Sequence, residues 1–239
     1  MNREAFWSAL AELLEKHSLL LHPFYQAWRN GDLSREDIRE YAIEYYQQVA
    51  SFPVYLREFA SKLPDSELKQ SVLRTLWEEI GMNGGEDRAH NLLWLDFAVA
   101  AGALPSEVFN REPIPAIKAL IATFHRIAKF GDVAQALVTF YVYESQVPGI
   151  AEEKAHSLQS IYGVESSACA YFTLHATADI VHSQIWRGQL DQILGKEPIL
   201  AHQTLAAAEL AATALWKALD GVNAGRMSRV QQRGCLQQC

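Results

Sequence analysis

The segment "IREYAIEYYQQVASFPVYLREFASKL", residues 38–63, carries apolar side chains at helical spacing. It predicts a long helix that bends at Pro53, because a proline inside a helix removes a backbone hydrogen bond. The preceding "NGDLSRED" predicts a turn in which Ser34 caps this helix and Asp37 follows three residues later. This part of the chain therefore favours a helical fold.

The other apolar segments have the same spacing and are separated by Gly or Pro. Helices are expected over about residues 3–20, from "PDSE" to "GMNGGED", over "RAHNLLWLDFAVAAG", and over "AIKALIATFHRIAKF" after a "REPIP" linker. A further long helix is interrupted at Pro148 and Gly149, and the last two cover about residues 166–194 and 198–219. Seven or eight helices with short connections predict an all-α bundle.

Composition predicts one large domain followed by a tail. The chain has 239 residues, of which 49% are hydrophobic and 21% charged, as expected of a globular protein. We place the domain at residues 1–222. Residues 223–239 include "RMSRVQQRGCLQQC", which is polar and has three Arg and no acid, so we expect a flexible tail there. The three cysteines, Cys169, Cys235 and Cys239, make no disulfide framework.

Charge and hydropathy exclude two classes of partner. A net charge of −7 argues against non-specific nucleic-acid binding, which needs a basic surface. The first residues lack the apolar core of a secretory signal, and the longest apolar stretch contains Asp96 and is too short to cross a membrane. We therefore expect a cytoplasmic protein with neither a nucleic-acid nor a membrane partner.

The stretch "YFTLHATADIVH", residues 171–182, puts three polar side chains on one side of a helix. His175, Asp179 and His182 are spaced by four and three residues, which places them within an arc of roughly 60°. Such a short match also occurs by chance, and taken alone it favours ordinary solvated side chains. The interpretation depends on whether other helices bring ligands to the same place.

Two other segments offer such ligands. Glu144 lies among aromatic and aliphatic residues, where an isolated charge would be very costly. The segment "TLWEEIGMNGGEDRAHNLLW" supplies a glutamate at a helix end, with Glu78 and Glu79 competing for the inward position, and His90 near the start of the next helix.

Mixed nitrogen and oxygen ligands without thiolates suit iron or manganese better than structural zinc. The hypothesis is a non-haem dinuclear centre that binds two divalent ions. Its ligands would be Glu79, His90, Glu144, His175, Asp179 and His182. From the spacing alone, an ordinary core or surface role stays open for each of them.

The stretch "LHPFYQAWRNGDLSREDIREYAIEYYQQVASFPVYL" resembles the N-terminal region of the PqqC and TenA-like proteins of the haem-oxygenase-like fold. "YESQVPGIAEEK" and "YFTLHATADIVHS" more closely resemble one branch, the Chlamydia protein associating with death domains (CADD) and its bacterial relatives. The resemblance reaches to about residue 195. It implies a compact seven-helix bundle. Because folds of this type often dimerise, it also implies a homodimer.

The resemblance also implies an activity. Members of the CADD branch make para-aminobenzoate for folate supply from a tyrosine of their own chain, using O₂ and a reductant. By position, Tyr25 would be the consumed tyrosine, Lys154 the amino donor and Tyr41 a nearby participant. Five of the metal ligands, Glu79, Glu144, His175, Asp179 and His182, match without a gap in their local motifs, and at the sixth, His90, the segment "HNLLW" matches. The "GMNGGED" connection between Glu79 and His90 is longer than the family pattern, which a flexible loop can absorb at little cost.

Four alternatives are weighed against this hypothesis. A cofactorless oxidase like PqqC would not need three carboxylates among the histidines. A TenA-type thiaminase needs a cysteine nucleophile, and Cys169 has no evident base nearby. A haem oxygenase would use an N-terminal histidine, His17 or His22, and would leave Glu144 and Asp179 unexplained. The fourth alternative is a non-enzymatic helical binding protein, which the acidic surface neither supports nor excludes.

Overall fold

The computed structural model describes residues 1–82 and 88–236. Within these ranges the chain is all-α, as predicted, and contains no strand. Its α-helices are α1 (Arg3–Lys16), α2 (Pro23–Arg29), α3 (Arg35–Ser61), α4 (Glu67–Glu79), α5 (His90–Ala100), α6 (Pro105–Asn110), α7 (Pro115–Phe130), α8 (Val133–Glu144), α9 (Val147–Ser160), α10 (Ala170–Lys196) and α11 (Ala201–Leu236). Short 3₁₀ turns at Leu19–Leu21, Ser166–Cys169 and Pro198–Leu200 lie between them.

The start of α3 confirms the predicted capping box. The Ser34 side chain accepts a hydrogen bond from the backbone of Asp37, and the Asp37 carboxylate accepts one from the Ser34 backbone at 3.0 Å. The helix then continues through Pro53 to Ser61 as a single element. The bend at Pro53 stays a prediction.

The described helices outnumber the predicted seven or eight because one predicted segment is divided and the short helices α2 and α6 lie outside the predicted segments. The segment predicted to break at Pro148 and Gly149 divides earlier, since α8 ends at Glu144 and Pro148 lies in the first turn of α9, where a proline is tolerated. The predicted first helix ends at Lys16, and α6 lies between predicted helices. The class and the bundle architecture are nevertheless as expected.

Helix α3 runs through the centre of the bundle. It packs against α4, α5 and α7, while α10 packs against α8 and α9, and α11 covers α7 and α8. The core between them is aromatic, and the largest fully buried side chains include Trp28, Trp94 and Trp186. Tight packing of such large rings fixes the relative positions of helices that carry the polar residues.

The C-terminal segment differs from the prediction. Residues 223–239 were expected to form a flexible tail, but α11 continues as one helix from Ala201 to Leu236. The physical reason is a set of contacts to the start of α3: Arg229 Nε donates to Asp37 Oδ1 at 2.9 Å, and Arg233 Nη1 donates to Ser34 Oγ at 3.0 Å. The arginines of the polar segment therefore attach it to the bundle.

Two sequence features lie outside the described residues. They are the lengthened part of the connection between Glu79 and His90, which falls on residues 83–87, and Cys239 in residues 237–239. None of the described helices combines the length and the hydropathy required to cross a bilayer.

Candidate metal centre

Four helices bring six carboxylate and imidazole side chains to one interior region. Helix α4 ends at Glu79, α5 begins at His90, and α8 ends at Glu144, while α10 carries the other three near its middle. The side chains fall into two groups of three whose ligand atoms lie within 4.8 Å of one another. We name them metal position A (Glu79, His90, His175) and metal position B (Glu144, Asp179, His182).

Metal position A has two imidazole nitrogens facing one carboxylate. His90 Nδ1 lies 3.0 Å from Glu79 Oε2, and His175 Nε2 lies 4.0 Å from Glu79 Oε1. The other nitrogen of His175, Nδ1, is 2.8 Å from the carbonyl oxygen of Tyr171. A backbone carbonyl at Nδ1 fixes the tautomer that leaves the Nε2 lone pair free for a metal.

Metal position B has one imidazole nitrogen facing two carboxylates. His182 Nδ1 lies 3.3 Å from Asp179 Oδ1 and 3.7 Å from Glu144 Oε1. The second oxygen of Glu144 accepts a hydrogen bond from the indole of Trp186, a residue that the sequence analysis missed. A donor at Oε2 leaves Oε1 of Glu144 directed at His182.

The competition between Glu78 and Glu79 is resolved by the structure. Glu79 is buried and belongs to metal position A, whereas Glu78 reaches sideways to His182 Nε2 at 2.7 Å. A carboxylate bonded to the outer nitrogen of a histidine orients the ring and raises its basicity as a ligand. The two adjacent glutamates therefore serve different positions.

Electrostatics show how these groups compensate one another without a metal. Burial acts to raise the pKa of Glu79, but the neighbouring histidines bring the net shift below its usual value. Burial acts to lower the pKa of His182, but its three carboxylate neighbours raise it to about 10. Burial raises the pKa of Glu144 well above its usual value. A metal cation would replace the protons that such groups otherwise share.

The donor atoms themselves indicate a metal rather than a closed hydrogen-bond network. His90 Nδ1, Glu144 Oε1 and His182 Nδ1 are buried and make no hydrogen bond of acceptable geometry among the described residues, although carboxylate oxygens lie 3.0 Å from His90 Nδ1 and 3.3 Å from His182 Nδ1. Unsatisfied buried polar atoms are uncommon and costly in native proteins. Their mixed nitrogen and oxygen chemistry fits iron or manganese.

A second constellation surrounds Lys154 on α9. Its Nζ donates hydrogen bonds to Tyr25 Oη at 3.1 Å and to Tyr41 Oη, and the two hydroxyl oxygens are 3.3 Å apart. The ammonium position lies 4.5 Å from the Tyr25 ring centroid. The structure thus brings the three residues singled out by the resemblance into direct contact. We call their cavity, of about 30 Å³, the tyrosine chamber.

The chamber is buried and favours neutral groups. Lys154 is 4% exposed, and burial lowers its pKa well below the usual value. Burial also raises the pKa of Tyr25 and of Tyr41, so both remain phenols at neutral pH. A cavity of about 30 Å³ holds about one molecule of the size of water.

The tyrosine chamber and the metal positions are neighbours. Tyr143 and Tyr171 line both the chamber and a small cavity next to Glu79, Glu144 and His175. Tyr171 also stacks on the His175 ring at a centroid distance of 4.1 Å. These two tyrosines form the shared wall. Neither of them was singled out from the sequence, because helical spacing does not show which cavity a buried ring lines.

The structure weakens two alternatives. Cys169 is buried, and burial raises the pKa of its thiol, so it is a poor nucleophile for a thiaminase. His22 uses both nitrogens elsewhere: Nδ1 accepts from the Phe24 backbone, and Nε2 is 3.1 Å from Asp220. It therefore caps α2 and is not available to a haem iron.

Comparison with known proteins agrees with this geometry. Residues 39–216 match a family described as iron-containing redox enzymes. The chain is 34% identical over 233 residues to the 4-aminobenzoate synthase of Nitrosomonas europaea, covering 93% of this chain and 93% of that protein.

Two solved structures share the fold. One is a domain of unknown function with a haem-oxygenase-like fold from Shewanella denitrificans, with a TM-score of 0.76, 19% identity, and 98% of this chain and 96% of that one covered. The other is a CADD-like protein of unknown function from Nostoc punctiforme, with a TM-score of 0.71, 17% identity, and 92% and 98% covered. The predicted resemblance is confirmed.

Proposed function

The chain belongs to the family of iron-containing redox enzymes and to the group of the 4-aminobenzoate synthases within it, and from this premise we propose that it makes 4-aminobenzoate from its own Tyr25. The observation that carries the proposal is the contact between Lys154 and Tyr25 in a buried chamber beside two candidate metal positions. The product would serve folate biosynthesis.

The carbon skeleton of the product fits a tyrosine side chain. The six ring carbons and Cβ together equal the carbons of 4-aminobenzoate. The Cα–Cβ bond of Tyr25 breaks, Cα takes up a hydrogen and is left as a glycine residue, and Cβ becomes the carboxylate carbon, while the ring C–O bond gives way to a C–N bond with Nζ of Lys154. The phenolic oxygen leaves as water. The Cε carbon of Lys154 is left as a carbonyl carbon.

These changes are oxidations and require an acceptor for the electrons. The electrons removed from Cβ of Tyr25 and from Cε of Lys154 pass to O₂, which is reduced to water. Further electrons that O₂ requires come from an external reductant of the thiol or ene-diol class. Both carboxylate oxygens derive from O₂ or water. The reaction consumes the chain, since neither side chain is restored.

The metal centre is assigned to metal positions A and B. When bound there, two divalent ions, iron or manganese, supply the activation of O₂. The donors are Glu79, His90 and His175 at one position and Glu144, Asp179 and His182 at the other. The orphaned buried atoms of His90, Glu144 and His182 support this assignment.

The residues of the chamber position the reacting groups and exclude water. Burial lowers the pKa of Lys154 well below its usual value and so favours the neutral amine form, whose nitrogen lone pair is available to attack. The Tyr41 hydroxyl contacts both Lys154 and Tyr25 and so holds them together. The aromatic wall excludes bulk water, which protects a reactive ring from side reactions.

Three properties expected from the sequence stay predictions. They are a homodimer, a cytoplasmic location and the lack of a nucleic-acid partner. The net charge of −7 supports the last of them.

Residue-specific isotopes test the proposal directly. Protein is prepared with ring-deuterated tyrosine or with lysine carrying ¹⁵N at Nζ, loaded with ferrous or manganous ion, and exposed to O₂ and a reductant. We expect released 4-aminobenzoate to carry deuterium in the first preparation and ¹⁵N in the second. Intact-mass analysis should show a matching loss from the protein.

Matched variants separate the individual residues. Tyr25→Phe and Lys154→Met should release no 4-aminobenzoate, while Tyr45→Phe, which alters another chamber tyrosine, should retain release. Unlabelled product from labelled protein would refute the self-derived substrate. Product from Tyr25→Phe would remove Tyr25 from the reaction.

A further inference from the structure

A second, larger cavity lies on the outer side of the metal ligands. It has a volume of about 780 Å³ and runs between α4, α5 and α10, a size typical of small-molecule sites. We call it the outer groove. It reaches His90 and His182 from solvent and shares no lining residue with the tyrosine chamber.

One wall of the outer groove is an apolar stripe on α10. Leu174, Ala178, Val181 and Ile185 line it at spacings of four, three and four residues, so they share one helix face. Leu93 of α5 also lines the groove. Leu174 is 37% exposed and Val181 56% exposed, which leaves apolar surface uncovered beside the centre.

The charged side chains of the groove differ in whether they have a charged partner. Arg88 donates to both oxygens of Asp96, and Glu78 bonds to His182 rather than to Arg74, although Arg74 lies one turn away on α4. Arg74 donates to Ser71 Oγ at 3.3 Å and has no carboxylate in ion-pair range among the described residues. The groove therefore pairs an apolar wall with a guanidinium that has no carboxylate partner among the described residues.

We propose that the outer groove is a second binding site for a small aromatic carboxylate, and that its occupant is the released 4-aminobenzoate. Only the identity of the occupant rests on the proposed function. The carboxylate pairs with Arg74, which can bind both oxygens through its planar fork. The ring lies on the α10 stripe of Leu174, Ala178 and Val181.

The spacing of polar groups along α4 fits a para-substituted ring. Arg74 and Glu78 are four residues apart on one helix, which places their Cβ atoms roughly 5–6 Å from each other. A benzene ring with para substituents spans a similar distance between its two groups. The amine of 4-aminobenzoate can thus donate to Glu78 while the carboxylate reaches Arg74.

Binding is measured on protein that cannot form its own product. Tyr25→Phe protein is titrated, without metal, O₂ or reductant, with 4-aminobenzoate, benzoate and 4-aminobenzamide, and binding is followed by ligand-observed NMR. We expect 4-aminobenzoate to bind at least about tenfold more tightly than the neutral amide, because a charge-assisted hydrogen bond is lost. Benzoate, which lacks the donor to Glu78, should fall between them.

Variants then locate the site. Arg74→Gln should remove the preference for carboxylate over amide, and Ala178→Phe should weaken all three ligands by filling the groove. Arg57→Gln, an exposed arginine on α3, is the matched control and should change nothing.

Three results overturn the inference: no saturable binding of 4-aminobenzoate up to several millimolar, equal binding of the amide, or binding unaffected by both groove variants. The assay contains no turnover, so these results leave the proposed synthase activity untouched. Conversely, a failure of 4-aminobenzoate synthesis leaves the binding result standing.

Discussion

Replacing Glu78 should weaken one metal position and spare the other. The Glu78 carboxylate holds His182 Nε2 at 2.7 Å, which directs Nδ1 towards Asp179 and Glu144. In Glu78→Ala the ring loses this partner and can adopt the other tautomer. Metal position A contains neither residue and serves as an internal reference.

The expected loss of metal affinity follows from the strength of this hydrogen bond and from the exposure of the Glu78 side chain. A hydrogen bond to a charged group contributes about 1.5–3 kcal/mol, which corresponds to roughly 10- to 100-fold in affinity. The Glu78 side chain is 35% exposed, so water screens the interaction and the lower end applies. We therefore expect about a tenfold weaker affinity at metal position B.

The assay is a titration of apoprotein with manganous ion, in which the electron paramagnetic resonance signal of free ion reports binding. Native protein should bind two ions, and Glu78→Ala should bind one with native affinity and one about tenfold more weakly. Glu78→Gln should fall between them, because the amide oxygen still accepts from Nε2. Glu12→Gln, an exposed carboxylate on α1, controls for the lost charge. Equal weakening of both ions, or of neither, would refute the reasoning.

Three further predictions concern stability. Manganous ion at 100 times its Kd should stabilise the protein by about 2.7 kcal/mol and raise Tm by roughly 5–10 °C, and calorimetry that shows no rise would contradict the assigned ligands. The folded pKa of Lys154 lies below its unfolded value of 10.5, so the unfolded chain binds more protons between the two and native stability rises with pH through that window. Lys154→Met should lack this rise in urea unfolding at successive pH values, and an identical slope would count against a neutral Lys154. Burial acts to raise the pKa of Asp37, but Ser34 and Arg229 lower it, so its stabilisation is present above the unfolded pKa of 3.8 and is lost as pH falls through the folded value. Arg229→Ala with Arg233→Ala should therefore lower Tm by several degrees at pH 7 and by less at pH 3, whereas an unchanged Tm would show that the end of α11 contributes no stability.

The sequence was most informative where one helix carries the whole signal. The spacing of His175, Asp179 and His182 predicts their common face, and all three are buried on α10, with His175 in metal position A and the other two in metal position B. The capping box at Ser34 is equally local. The tail was misread because its arginines are satisfied by Asp37, almost two hundred positions earlier in the chain, and composition contains no such information.

The adjacent residues Glu78 and Glu79 show why the site could not be assigned from the sequence alone. On a helix, successive side chains diverge by about 100°, so two adjacent glutamates cannot face the same point. Which of them faces inward depends on the rotation of α4 relative to α10, and that rotation is set by packing between distant segments. Once it is set, Glu79 reaches metal position A and Glu78 reaches His182 of metal position B. The end of α4 therefore contributes to both positions, and displacing this one helix end would disturb both candidate metal positions together.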